Sequence, residues 1–309
     1  MRIVDWAWKA ELTSRRIRTA DRSPPATKIN GPQCGPYDWQ MHRPCAAASL
    51  IIATFLSLLT GCAAHETNVK TLRQGYDALA IQQYSIAMDD ANAVLAANAD
   101  GTLPAEAHYL RGRVFEETAM SIPPSSAQVA DLQNARDEYR EAISLPHGTD
   151  LDGDARAGAA MVAFAQEDYE TALQQWKAAY DELKKPEDRV RTLYRMGQAE
   201  QRLGQWVLAD QYFQQVQQLA PGTEVAANAR THQGFRAFYV QVAASAAANQ
   251  ATALQKQLNA SGIASQIVPS PGNAAGHLSV RSGPLATYSQ AKSLRDHLLS
   301  KYPNATILP

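Results

Sequence analysis

Gln241 and Arg281 offer the plainest chemistry in this chain: a carboxamide that donates and accepts at once, and a guanidinium with five donors in a fixed fork. Such groups hold hydroxyls, carbonyls and anions. Neither is a nucleophile or a base at neutral pH, so the pair points to recognition rather than reaction. Cys62 is different, because it carries a nucleophilic thiol and closes the run Leu59-Thr60-Gly61-Cys62. Other reactive residue types fall in patterns that support little. Asp150-Leu151-Asp152-Gly153-Asp154 places its glycine too early for an EF-hand, and its twelfth position is Met161 rather than glutamate, so it reads as a helix-capping turn. The seven histidines show no metal-ligand spacing with one another or with cysteine. No nucleophile elbow or phosphate-cradling glycine loop occurs, which leaves catalysis and cofactors without sequence support.

Gln241 and Arg281 are matched positions of a duplication at an offset of 40. Val240, Gln250, Ala251, Leu254, Leu258, Ile267 and Pro269 recur as Val280, Gln290, Ala291, Leu294, Leu298, Ile307 and Pro309. Each copy reads strand, helix, strand, from β-rich alternation in Tyr239 to Val242 and Leu278 to Ser282 and from Ala251, Leu254 and Leu258 at helical spacing. Two copies give βαββαβ, the ferredoxin-like pattern, in which the first and third strands are central neighbours. The strand period of two sends Val240 and Val242 under the helices. Tyr239 and Gln241, with Ser279 and Arg281, then share an open polar face that is either a binding platform or merely solvated.

The segments Tyr239-Val240-Gln241-Val242 and Val280-Arg281-Ser282-Gly283-Pro284, with their helices, resemble a SPOR (sporulation-related repeat) domain over the last quarter of the chain. The resemblance implies peptidoglycan binding on the open sheet face, chiefly to glycan strands stripped of stem peptides, and enrichment at division sites. It implies Tyr239, Gln241, His277, Ser279 and Arg281 as the glycan-binding set. Gln241 matches the usual glutamine, and Gly283-Pro284 the usual turn. Ala244, His277 and Ser279 depart from the serine, aromatic and arginine that members often carry there; Arg281 lies two residues further along the same face.

Ala46 to Leu59 is an apolar run of signal-peptide length that follows Met41-His42-Arg43 and ends at small residues before Cys62. It resembles a bacterial lipoprotein signal, which implies lipidation of Cys62 as the first mature residue. Ala63 in place of aspartate points to the outer membrane. Residues 1–40 then read as an extension upstream of the true start at Met41. Cys34 and Cys45 precede the cleavage point, so the mature chain has no disulfide and depends on its apolar core.

Residues 71–235 are rich in alanine, glutamine and charge, which is helical composition. Gly197, Ala199, Leu203, Gly204, Trp206, Ala209, Phe213, Val216 and Pro221 form a unit that resembles a tetratricopeptide (TPR) repeat. Ala172, Trp176 and Ala179 stand 37 residues earlier, and Ala135, Tyr139 and Ala142 another 37. Gly75, Ala87 and Ala91 suggest a degenerate fourth repeat, Pro123-Pro124 a loop, and residues 223–233 a capping helix. Paired aromatics such as Tyr194 and Trp206 read most simply as packing between helices. The expected fold is thus an all-α TPR-like helical repeat domain followed by a small α+β ferredoxin-like domain. Residues 1–40 are the extension, 41–61 the signal, 62–70 a tether, 71–235 the repeats with their cap and 236–309 the platform.

Charge divides along the same line. Residues 62–237 hold 16 Lys and Arg against 25 Asp and Glu, whereas residues 238–309 hold five against one. An acidic superhelix suits a protein partner in its groove, and a basic platform suits a polar or anionic polymer. Nucleic acid fits poorly, because only Tyr239 supplies a ring on the central strands. The expectation is a non-catalytic, lipid-anchored envelope adaptor that binds peptidoglycan and a protein. Its rival is an outer-membrane or envelope assembly scaffold whose platform has lost glycan affinity.

Overall fold

The computed structural model describes residues 65–99, 101–245, 247–269 and 277–309. Cys62 and the run Ala46 to Leu59 lie outside the described residues, and among those described no helix is long and apolar enough to cross a membrane.

Small residues at 37-residue spacing build the helical part. After α1 (65–80) come α2 (Tyr84–Ala96), α3 (Leu103–Ser121), α4 (Ser126–Ser144), α5 (Thr149–Ala165), α6 (Tyr169–Tyr180), α7 (Pro186–Arg202), α8 (Trp206–Leu219) and α9 (Glu224–His232). Each helix packs on its neighbours in sequence, the arrangement of a TPR-like array. The three second-helix triplets, Ala135/Tyr139/Ala142, Ala172/Trp176/Ala179 and Ala209/Phe213/Val216, are all buried. Their large members fill space left by glycine: a Cβ at Gly112 would come 2.9 Å from the Tyr139 ring, one at Gly158 2.5 Å from the same ring, and one at Gly197 2.6 Å from Phe213. Ala87 and Ala91 of the degenerate repeat are equally buried.

The turns inside the repeats share one geometry. Gln82, Glu167 and Gly204 each stand two residues before the second helix with positive φ, at 62°, 66° and 75°. The next amide, of Gln83, Asp168 or Gln205, closes back on a carbonyl five residues earlier at 2.8–2.9 Å. Only glycine adopts such φ freely, so at the exposed Gln82 and Glu167 the closing backbone hydrogen bonds hold the turn. The α3–α4 connection differs, since Pro123-Pro124 cannot continue a helix and Ser125 restarts one by accepting from the Gln128 amide. The acidic run expected as a capping turn instead lies within α5, beginning in its first turn, where Asp150 and Asp152 meet the positive helix end.

The C-terminal part comprises β1 (Phe238–Ser245), α10 (Ala248–Ala260), β2 (Ser265–Pro269), β3 (Leu278–Leu285), α11 (Tyr288–Leu299) and β4 (Thr306–Leu308). Its sheet runs β2-β3-β1-β4 with every pair antiparallel, which puts β1 and β3 at the centre. Phe238, Val240, Val242 and Val280 pack with Ala251 and Leu258 of α10 and Ala291 and Leu298 of α11. Gly283-Pro284, expected as a turn, lies inside β3. The pairs Phe238–Leu285 and Val240–Ser282 enclose one more residue on β3 than on β1, so the glycine sits at a bulge, with φ of 135°.

Side chains bind the two parts together. Trp206, expected to pack against Tyr194, instead joins the platform core with its ring 4.8 Å from that of Phe238, because it opens α8 at the end facing β1. Tyr288 of α11 lies 5.8 Å from Phe238 and 5.9 Å from Tyr169, and the Arg202 guanidinium stands 4.2 Å over its ring. Lys292 pairs with Glu167 at 2.6 Å, and Asp210 receives Arg236 at 2.8 Å and the Gly234 amide at 3.0 Å. The short connection from α9 to β1 is therefore pinned at both ends.

Candidate functional site

Alternation along β1 and β3 decides what the sheet shows to the outside. Phe238, Val240 and Val242 are buried, while Tyr239 and Gln241 between them are half-buried. Gln241 pairs directly with Arg281, as the duplication requires. On the outer strands Gln266 pairs with Arg281 and Thr306 with Gln241, so one polar row, Gln266-Arg281-Gln241-Thr306, crosses all four strands. Gln266 and Thr306 are exposed. They were missed by sequence reasoning, yet the signal existed, since they too are matched positions at the offset of 40.

Tyr239 stands beside this row. A Cβ at Gly283 would come 2.8 Å from its Cδ1, so the bare glycine leaves room for the ring against β3. His277 immediately precedes β3 and is half-buried. The other expected member behaves differently. Ser279 is wholly buried between its partners Ala244 and Val268, and its hydroxyl has no hydrogen-bond partner. It shares the strand parity of Arg281, yet it is covered from solvent where Arg281 is half-buried.

Arg281 is half-buried, and its Nε and Nη2 are shut from solvent without an acceptor. Desolvation lowers its pKa, with the neighbouring Tyr239 opposing. An arginine stays charged at any physiological pH, so the shift reports a cation without a counter-charge. Each buried donor left unsatisfied costs about 1–3 kcal/mol. The only described carboxylate side chain on the platform, Asp296, is engaged by Arg295 on α11, at 2.6 Å.

A second concave region lies between α5 and α7, lined by Tyr109, Asp154, Met161, Asp188, Arg191 and Arg195. Its charges are largely internal: Arg191 pairs with Asp188 at 3.3 Å and Arg195 with Gln198 at 2.9 Å. Burial pushes the Asp188 carboxyl up, with Lys185 and Arg191 opposing. Deeper in the array Tyr139 donates to Glu116, and Arg113 bonds Glu117 at 3.1 Å. Burial raises Glu116 against the pull of Arg113. Among the described residues no group of His, Cys, Asp and Glu could hold a metal ion.

Residues 234–309 match the family model of the SPOR domain. No curated protein matches the chain. Among solved structures, that of Pseudomonas aeruginosa pilF is similar at 18% identity, covering 55% of this chain and 70% of that chain with a TM-score of 0.44. The Cut9–Hcn1 hetero-tetramer of the APC/C gives 15% identity over 53% of this chain and 36% of that chain, with a TM-score of 0.31. The TPR domain of P58(IPK) gives 13% identity over 77% and 74%, with a TM-score of 0.23.

Proposed function

We propose that this chain is a non-catalytic adaptor of the bacterial cell envelope. The platform binds the glycan strands of peptidoglycan, and the helical repeats hold a protein partner. The observation that carries this reading is the polar row Gln266-Arg281-Gln241-Thr306 on the sheet of a domain that matches the SPOR family. Carboxamides and a guanidinium suit the hydroxyls and acetamido carbonyls of such a strand. Tyr239, Gln241, His277, Ser279 and Arg281 remain the proposed set. Affinity for strands stripped of stem peptides would concentrate the protein at division sites.

Sedimentation with purified sacculi tests the reading. Gln241→Ala and Arg281→Ala should each weaken binding while leaving the circular dichroism spectrum unchanged. Loss of a hydrogen bond to a charged group costs roughly 1.5–3 kcal/mol, so the arginine variant should lose about ten- to a hundredfold in affinity and the glutamine variant less. A folded protein that ignores sacculi of every kind would remove the wall-binding reading. A scaffold role in envelope assembly then takes its place. The burial of Ser279, one member of the expected set, favours that rival.

The adaptor is anchored in this reading by acylation of Cys62, in an outer membrane whose periplasmic side faces the wall. Mass spectrometry of the protein isolated from membranes should find a lipid-modified N-terminus at Cys62, and Cys62→Ser should release it. An unmodified thiol at that position would remove the anchor.

A further inference from the structure

We infer that the platform reads a carboxylate on its glycan, held by the Nε–Nη2 edge of Arg281. The inference rests on the glycan-binding reading and specifies which group of the polymer is recognised. Nε and Nη2 are the two nitrogens that lack partners. On a guanidinium they form the side-on edge, whose two N–H bonds run parallel and match the two oxygens of a carboxylate. The neighbours in the row, Gln241 and Gln266, are uncharged and cannot neutralise the cation. Asp296 is taken by Arg295. The platform thus holds a fork shaped for an acid and has no acid of its own placed to fill it.

Ser279 adds a third orphan donor two residues earlier on the same strand, about 7 Å away along β3. Its hydroxyl is wholly covered, so recognition of the acid falls to Arg281. A neutral sugar polymer could meet the fork with hydroxyl or carbonyl oxygens but would leave its charge unmatched. In the wall polymer the matching group is the lactyl carboxyl of muramic acid, which is an amide while a stem peptide is attached and a free carboxylate after the peptide is removed. Because the fork edge is closed to water here, Arg281 must swing outward about its rotatable bonds to meet the ligand.

The test uses the purified protein and one preparation of amidase-stripped glycan strands, divided in two. One half keeps its free carboxylates; the other is coupled with methylamine by carbodiimide, which removes the charge and keeps the sugars. Binding should be about ten- to a hundredfold weaker to the amidated half, as expected for loss of a hydrogen-bonded charge. Arg281→Gln should bind both halves alike, at the weaker level, and Arg281→Lys should recover part of the difference as a point charge without the fork. Equal wild-type affinity for both halves overturns the carboxylate inference while leaving glycan binding standing. So does an Arg281→Gln protein that still distinguishes them. Binding to neither half removes the glycan reading and the inference with it.

Discussion

Gly197→Val should lower the melting temperature of the helical array by roughly 5–10 °C. A Cβ at Gly197 would stand 2.6 Å from Cε1 of Phe213, and the next two nearest atoms also belong to that ring. Phe213 is fully buried in the cluster that includes Tyr194, Ala209 and Val216, so it has little room to turn aside. Two opposed terms set the outcome. Glycine to alanine in a helix interior gains about 1 kcal/mol of propensity, whereas overpacking a filled core costs about 1–3 kcal/mol or more. Gly197→Ala should therefore be mildly destabilising, and valine, with two more carbons, strongly so. In a Phe213→Leu background the clash disappears and Gly197→Ala should turn neutral or stabilising. Thermal melts of the four proteins decide it; if the cost of Gly197→Ala is the same in both backgrounds, the glycine is not there to admit the ring.

Much of this architecture was legible because two periods are written into the chain. The 37-residue spacing located the small residues of α4, α6 and α8, and the burial of all nine triplet positions follows from their place between paired helices. The offset of 40 predicted the β1–β3 pairing and the contact of Gln241 with Arg281. What failed depended on interactions that no period encodes. Parity placed Ser279 on an open face, but parity fixes only the side of the sheet on which a residue lies and says nothing of how deeply it is covered. Trp206 carried the signature of a repeat aromatic, and only the docking of the platform shows that its ring serves another core. Gly283-Pro284 looked like a turn from composition alone, whereas the bulge opposite Tyr239 requires the register of both strands.

Trp206→Ala should uncouple the platform from the helices. The Trp206 ring lies 4.8 Å from Phe238, which is completely buried, and Tyr288 continues the contact to Tyr169 on α6. Truncating a buried Phe or Trp to alanine costs about 3–5 kcal/mol, and this ring is only half-buried, so a value near the lower limit is expected. The polar contacts offer less: Lys292–Glu167 and Arg236–Asp210 are surface pairs, typically about 0–1 kcal/mol each. The aromatic chain is thus the main tie. Calorimetry of the wild-type protein should show the two parts melting together. The variant should show two transitions, with the platform first, because removal of the indole opens the platform core at Phe238. Tyr288→Ala, which also removes the perch of Arg202, should act in the same direction. Two separate transitions already in the wild type would mean that the interface does not couple the domains. If coupling holds, the polar row is carried at a fixed angle to the helical array, because the rings of Trp206, Phe238, Tyr288 and Tyr169 form one continuous contact across the boundary.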